Sequence, residues 1–292
     1  MIQLLQLTIG GIAIGCVYAL IALGFVLIYK ATEMVNFAQG ELMMLGGFVA
    51  LTLVGIAGLP WWVGLVGAVL IMGLFGMALD RVVLRPMLGQ PQFAIITATI
   101  AIGFIARGLV SMFPAWGTET HGLRSPFSGT RLKLGGLILS GDHLAVIGFT
   151  ACLCLLLWLF FSRTRTGIAM QACSQNQLAA HYMGIPVEWI NTLAWGISAA
   201  VAGLAAVLLA PLTFVHVNMG FLGFKAFPAA VIGGLGSIPG AVVGGILLGI
   251  VESLSGFYAP EGVKDVIAYL VVLAVLIVRP SGLFGETTKK KV

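Results

Sequence analysis

Residues 143–173 read HLAVIGFTACLCLLLWLFFSRTRTGIAMQAC, an apolar run that changes at Ser162 into a polar segment. The run has the length and composition of one membrane-spanning helix. A bilayer offers the backbone no hydrogen-bond partners, so only helices or closed barrels cross it, and the alternation of a barrel strand is absent here. The stretch therefore predicts a helical span followed by a polar loop over about residues 162–191.

The composition of the whole chain agrees with that prediction. Hydrophobic residues make up 60% of the 292 residues and charged residues only 9%, whereas soluble domains carry about 25% charged residues. The net charge of +5 does not indicate nucleic acid as a partner, because Lys and Arg stand mostly between apolar runs and report orientation there. We expect an all-α, polytopic transmembrane bundle that forms a single domain over residues 1–292.

The apolar runs predict about eight spans. They cover residues 4–29, 37–54, 61–84, 93–113, 143–161, 190–209, 240–257 and 265–278. A further stretch, 220–238, is apolar but short and interrupted by glycine. It leaves two interpretations open, a re-entrant half-helix or a complete pass.

The basic residues predict the orientation. If the spans alternate, one side collects Lys30, Arg81, Arg85, Arg163, Arg165, Arg279 and the lysines at 289–291. Because cytoplasmic ends of spans are rich in Lys and Arg, we predict a multi-pass protein of the bacterial inner membrane. Its N-terminus lies outside, whereas the 162–191 loop and the C-terminus are cytoplasmic. Arg124, Arg131 and Lys133, in a loop assigned to the outside, count against this orientation.

That outer loop, about residues 114–142, is rich in Gly, Ser and Thr and long enough to form a small surface. One interpretation is a solvated connector. The other is a landing site for a soluble protein that delivers the substrate.

The segment NFAQGE at residues 36–41 opens the second span. Asn36 is suited to cap that helix, and Gln39, three positions on, resembles the second half of a capping box. Glu41 then falls inside the membrane, where an ionisable residue must face protein or a water-filled path. Two interpretations stay open, a role in transport and a carboxyl that fixes two helices together.

Other charges also fall within or near the spans. Arg107 lies deep in its span and needs a partner, for which Glu41 and Glu252 are the available acids. Asp80 and the neighbouring Arg81 lie near a membrane interface, where long side chains reach water easily, so a structural role is expected for them.

Glycine marks two kinds of segment. Residues 224–240 read FKAFPAAVIGGLGSIPG, and their two prolines interrupt any continuous helix. Interrupted helices are tolerated in a membrane where they line a cavity or are covered by protein, and transporters build midplane sites from such elements. The pairs Gly11 and Gly15, Gly240 and Gly244, and Gly245 and Gly249 have the spacing of closely packed helices, either within the bundle or against a partner subunit.

The polar loop at 162–191 contains two short helical stretches. Gly184 followed by Pro186 gives the expected end of the second stretch. Ala179, Ala180 and Gly184 resemble the Ala-Ala-x-x-x-Gly core of the coupling motif in ABC import permeases, although Leu178 stands where that motif has Glu.

Three stretches together make the chain resemble the LivH-type permeases of branched-chain amino-acid ABC transporters, over nearly its whole length. They are residues 36–41, 165–186 and 233–240. The resemblance implies a subunit for import of leucine, isoleucine and valine. It implies four kinds of partner, namely a second, LivM-type permease subunit, two cytoplasmic ABC ATPase subunits, an extracytoplasmic substrate-binding protein and membrane lipid.

On that resemblance the chain itself catalyses nothing. It has no Gly-x-x-x-x-Gly-Lys-Ser/Thr phosphate loop, so ATP and Mg would be used by the partner ATPases, and neither a cofactor nor a metal is expected on this chain. The candidate translocation residues are Asn36, Gln39, Glu41, Met43, Gly233, Gly234 and Gly236. The candidate ATPase-coupling residues are Arg165, Gly167, Ala172, Asn176, Ala179, Ala180 and Gly184.

Other functions remain alternatives at this point. The same machinery serves urea, short amides or other amino acids in similar permeases. A secondary transporter driven by an ion gradient is a different class, and the scarcity of intramembrane acids counts against it. A purely structural membrane subunit is the third alternative.

Overall fold

The computed structural model describes residues 2–87, 89–134, 137–258, 260 and 263–285. The helices are α1 Ile2–Thr32, α2 Gln39–Ala50, α3 Trp61–Leu79, α4 Gln92–Met112, α5 Gly141–Arg163, α6 Arg165–Gln175, α7 Gln177–Tyr182, α8 Val187–Thr213, α9 Phe221–Gly233, α10 Ile238–Tyr258 and α11 Val263–Val278. Helical turns of other pitch extend α2 over Leu51–Ile56 and α3 over Asp80–Leu84 and Arg85–Met87, and precede α9 at Val217–Gly220. Two strands, β1 Arg131–Leu134 and β2 Leu137–Ser140, form an antiparallel hairpin.

The predicted helical bundle is confirmed. Among the described residues, seven helices are long and apolar enough to cross a membrane. They correspond to the first seven predicted spans. The predicted span at 265–278 corresponds to the shorter helix α11, and the stretch at 220–238 contains the shorter helix α9.

The chain between α8 and α10 crosses the bundle, and α9 forms the second part of this pass. The crossing begins at Val215, which follows α8 and pairs with His121 in the loop before α5. Gly220, at the start of α9, meets Gly40 at the start of α2, and Gly233, at its end, meets Gly240 at the start of α10. The segment therefore does not return to the side from which it entered. The 13 residues of α9 and the preceding helical turn together supply about 25 Å of length at roughly 1.5 Å per residue.

The bundle consequently has two different ends. At the hairpin end lie the start of α1, the loop with β1 and β2, and the end of α8. At the helical-loop end lie α6, α7 and the residues that follow α11. The basic residues predicted for one side within the described ranges lie at the helical-loop end, namely Lys30, Arg81, Arg85, Arg163, Arg165 and Arg279. The lysines at 289–291 lie outside the described residues.

Helix α1 is the centre of the bundle, and glycines let α10 pack directly on it. A Cβ atom added to Gly15 would lie 2.7 Å from Cα of Ile246, and one added to Gly11 would lie 2.9 Å from Cα of Ile250. On α10, Gly245 faces Ala19 in the same way. The four-residue glycine spacing of this α1–α10 seam therefore brings two helices of the same chain together. On another face of α10, Gly240 and Gly244 meet α9.

The loop at the hairpin end is tied to the bundle. His121 exchanges two backbone hydrogen bonds of 2.8 Å with Val215, which follows α8. Phe127 packs edge-on against Trp61 and Trp62 at the start of α3. The loop is thus an ordered surface, including a hairpin that the sequence analysis did not predict.

Candidate functional site

Helix α2 begins inside the bundle rather than at its end. The chain turns at Glu33, whose φ is 56°, and residues 33–38 run back without helix to Gln39. There the Gln39 side chain meets Gly24 of α1 and Ser198 of α8. Gly24 lies eight residues before the end of α1, about 12 Å along the axis at 1.5 Å per residue. The start of α2 is therefore inside the membrane.

Buried polar groups hold this start in place. Asn36 and Gln39 are fully buried, and the Asn36 Nδ2 donates to the Gln39 Oε1 at 3.3 Å. The Ser198 hydroxyl, which has one proton, lies 2.9 Å both from this Oε1 and from the carbonyl oxygen of Gly24. Because buried polar atoms need partners, these contacts fix where α2 starts.

The predicted capping box is wrong. The cap position of α2 is Ala38, and no side chain accepts a hydrogen bond from the first turn. The Asn36 Oδ1 instead accepts from the backbone N–H of Ala38 at 3.0 Å, which forms a turn before the helix. The Gln39 side chain bonds the Asn36 side chain and Ser198 of α8, not a backbone N–H as a capping box requires.

Glu41, in the first turn of α2, forms an ion pair with Arg107 of α4. The guanidinium carbon of Arg107 lies 4.0 Å from the ring centroid of Phe221 at the start of α9, the geometry of a cation–π contact. Of the two acids considered for Arg107, the structure thus assigns Glu41. The two charged side chains are 8% and 17% exposed.

Glycines create the space around this pair. A Cβ atom on Gly220 would lie 2.8 Å from the Cδ of Glu41, and one on Gly103 would lie 3.3 Å from its Cγ. Next to it, Gly40 and Gly223 allow α2 and α9 to touch, since a Cβ on Gly40 would lie 3.0 Å from the Cα of Gly223. We call Glu41, Arg107 and Phe221 with these glycines the Glu41 junction.

The second candidate acid, Glu252 of α10, lies in a separate cluster. Its carboxylate accepts a hydrogen bond of 2.5 Å from the Tyr18 hydroxyl and lies 3.5 Å from the Lys225 Nζ. Lys225 follows Phe221 by one turn of α9. Neighbouring turns of this helix therefore contact the Glu41–Arg107 pair, through the ring of Phe221, and form the Lys225–Glu252 pair.

The other predicted translocation residues lie apart from the junction. Met43 is fully buried in the core. Gly233, Gly234 and Gly236 lie at the turn between α9 and α10, at the helical-loop end. There Leu283 and Phe284 donate backbone N–H groups to Ile232 and Gly233. The structure does not bring the two predicted groups of translocation residues together, and their role stays a prediction.

The predicted coupling residues lie on or beside α6 and α7, as expected from the two short helical stretches. Thr164 caps α6 by accepting from the Gly167 N–H at 3.0 Å, and Asn176 caps α7 by accepting from the Ala179 N–H at 2.9 Å. Gly184, with φ of 82°, ends the helical segment. The break between the two helices falls at Asn176, without glycine or proline.

This helical loop is fixed to the bundle on one side and open on the other. Gly167 lies against the backbone of Phe161 in α5, and the Gln177 Nε2 donates to the Ala31 carbonyl of α1 at 2.8 Å. On the open side, apolar side chains protrude. Leu178 is 69% exposed and Met183 is 83% exposed, which is typical of a surface that binds another protein.

Ser198, Phe221 and the glycines around Glu41 were not predicted from the sequence. Ser198 is a polar residue in an apolar span and was detectable on that ground. Phe221 and Gly220 carried no signal of their own, because their importance follows from contacts with residues more than a hundred positions away. In the part of the chain that the structure describes, no group of three His, Cys, Asp or Glu side chains is placed to hold a metal ion.

Comparison with known proteins identifies the family to which this chain belongs. A family model described as the permease component of the branched-chain amino acid transport system matches residues 7–276. The chain belongs to the branched-chain amino acid transport permease family. Its family relatives include the high-affinity branched-chain amino acid transport system permease protein LivH of Escherichia coli strain K12. That relative is 34% identical, over 99% of this chain and 97% of its own length.

Two further comparisons extend this result within and beyond the permease family. The corresponding permease BraD of Pseudomonas aeruginosa is 32% identical over 99% of this chain and 98% of its own. Among solved structures, PsaBC from Streptococcus pneumoniae in complex with Fab matches with a TM-score of 0.51 at 17% identity, covering 96% of this chain and 92% of that chain. The latter likeness shows a shared fold only. The chain is thus a multi-pass membrane permease.

Proposed function

We propose that this chain is a translocation subunit of an ABC importer that carries branched-chain amino acids across the bacterial inner membrane. In this proposal it works with a second permease, two cytoplasmic ATPases and a substrate-binding protein, and the ATPases use the ATP and Mg. The cargo is taken from the named function of the relatives. Membership of the permease family supports the transport role itself.

The observation that carries the coupling role is the helical loop with its exposed apolar side. Leu178 and Tyr182 lie on α7, and Met183 follows it. Both α7 and the preceding α6 are capped, and they are anchored on α1 and α5 respectively. A partner that binds these helices moves the spans with them, because the anchors are a backbone contact with α5 and a part-buried hydrogen bond to α1. Rigid-body movement of this kind is a common way to open and close a site.

The basic residues at the helical-loop end support the cytoplasmic location of that end. Hydrophilic maleimide labelling of sealed cells tests it. Burial raises the pKa of the Cys173 thiol in α6, which suppresses its reaction at neutral pH. We expect L178C to react only after the cells are opened. Labelling of L178C from outside would contradict the orientation.

Uptake by the reconstituted complex tests the function. Proteoliposomes with the chain, its second permease, the ATPases and the loaded binding protein should accumulate L-leucine only when ATP is supplied to the ATPase side. Uptake that persists without ATP and disappears with an ionophore would indicate a secondary transporter. A panel with urea, short amides and other amino acids identifies the cargo.

A docking variant tests the helical loop. We expect L178S/M183S to lose ATPase subunits on co-purification, because the apolar contact is removed. The control is L132S, an equally apolar exposed position in the hairpin at the other end, which should retain the ATPases. Full retention by L178S/M183S would contradict docking at this surface.

A further inference from the structure

The Glu41 junction holds opposite charges within the helical bundle. Glu41 lies on α2 at its start within the membrane, and Arg107 reaches it from α4. Arg107 stands five residues before the end of α4, and both charged side chains are covered by neighbouring helices. A charged pair at this depth is costly unless protein or water covers it, so its presence asks for an explanation beyond helix packing.

Both members of the pair keep a buried polar atom without a partner. The Glu41 Oε2 accepts no hydrogen bond, and the Arg107 Nε donates none. The pair therefore retains one acceptor on the anion and one donor on the cation. Buried atoms in this state lose the hydrogen bonds that they had in water. A ligand that carries one positive and one negative group side by side would satisfy both atoms.

The junction opens towards an apolar surface. Phe104 on α4 and Phe221 and Phe224 on α9 are exposed around it, and Arg107 is partly exposed beside Phe221. The ring of Phe221 therefore stands at the boundary between the charged pair and this surface. An apolar side chain placed against these rings would lie within reach of both charges.

We propose that the Glu41 junction is a transient binding site for the zwitterionic head group of an amino acid. The α-carboxylate binds the Arg107 guanidinium and the α-ammonium binds the Glu41 carboxylate, while the aliphatic side chain contacts the exposed phenylalanine rings. The small residues Gly103 and Gly220 leave the carboxylate its space. The inference rests on the proposed import function and adds the residues that recognise the cargo within the membrane.

The competing explanation is that the ion pair only ties α2 to α4. The two explanations differ for the double variant E41Q/R107Q, which removes both charges together and leaves no unpaired ion. A structural tie can be replaced by neutral side chains with little loss, whereas a head-group site cannot.

The experiment is ATP-driven uptake of L-leucine from loaded binding protein by the complete reconstituted complex. We expect E41Q/R107Q to assemble, to lower the maximal uptake rate at least tenfold, and to leave the apparent affinity for the binding protein within twofold, since that protein docks elsewhere. The control S253A removes another hydrogen bond inside the membrane and should stay within twofold of wild type in both quantities. Uptake by E41Q/R107Q within twofold of wild type would overturn the proposal.

A second variant decides the matter if the double variant does not assemble. The methyl group of G220A would press on the Glu41 carboxylate, so we expect at least a fivefold loss of uptake. G108A, one position after Arg107 and without any neighbour within 4 Å, is its control and should transport normally. Normal transport by G220A would overturn the proposal.

A wild-type complex that transports only urea or another uncharged solute would overturn both this proposal and the proposed cargo, whereas transport of a different amino acid would leave the junction's assignment intact.

Discussion

The α1–α10 seam and the Glu41 junction both depend on glycine, but for different purposes. In the seam, Gly11 and Gly15 bring two backbones together without a charged side chain between them. In the junction, Gly103 and Gly220 surround a carboxylate. Glycine therefore allows close contact in both places. In the seam another backbone occupies the space that the missing side chain leaves, whereas in the junction the Glu41 carboxylate occupies it. The spacing of glycines in the sequence does not distinguish a packing seam from a charged site.

The largest expected effect is on the junction, from the single variant E41Q. It leaves the Arg107 cation without its carboxylate in a mostly buried position, and breaking such a pair costs about 3–5 kcal/mol. E41Q/R107Q should recover most of this loss. The thermal unfolding midpoint of the detergent-purified protein measures both. If E41Q is as stable as the double variant, the pair is not coupled in the folded protein.

The next effect concerns the seam. In G15A the new methyl group meets the Cα of Ile246 at 2.7 Å, so a backbone must shift, and overpacking of this kind costs about 1–3 kcal/mol. The control G10A, five residues earlier in the same helix, has no neighbour within 4 Å and should not destabilise the protein. The thermal unfolding midpoints of G15A and G10A test this prediction. Equal midpoints for the two variants would mean that the seam tolerates an added side chain.

The smallest effect compares one serine from each region. Ser198 donates at the start of α2 and is fully buried, whereas Ser253 donates to Leu7 in the seam and is partly exposed. Leaving buried acceptors unpaired costs about 1–3 kcal/mol, so S198A should lie in that range, with S253A below it. The order of the two midpoints checks the comparison. A reversed order would indicate that water replaces the Ser198 hydroxyl.

The helices of the bundle were predictable because hydropathy depends on local sequence. Seven passes follow from apolar runs of sufficient length. Helix α9 was left open because its 13 residues fall below the usual length of a span, although the chain between α8 and α10 crosses the bundle. The hairpin was missed because its strands have only four residues each, too few for an alternating pattern to stand out.

The site was predictable in part. Glu41 stood out as an acid in an apolar run, and the helical loop stood out as polar. The partner of Arg107 did not follow from sequence, because Glu41 lies 66 positions away and Glu252 was an equal candidate. The capping box failed for a similar reason. Local spacing suggested that Gln39 reaches back, but Ser198, far along the chain, competes for its amide.

The residues after α11 have a practical consequence for work on this permease. Leu283 and Phe284 donate to the last carbonyl groups of α9, and Gly234 and Gly282 leave just enough room, since a Cβ atom on Gly234 would lie 2.7 Å from the nitrogen of Gly285. An expression clone shortened to Val278 would strip these donors from the turn between α9 and α10. Purification tags are better fused beyond residue 285, so that Leu283 and Phe284 keep their hydrogen bonds to the end of α9.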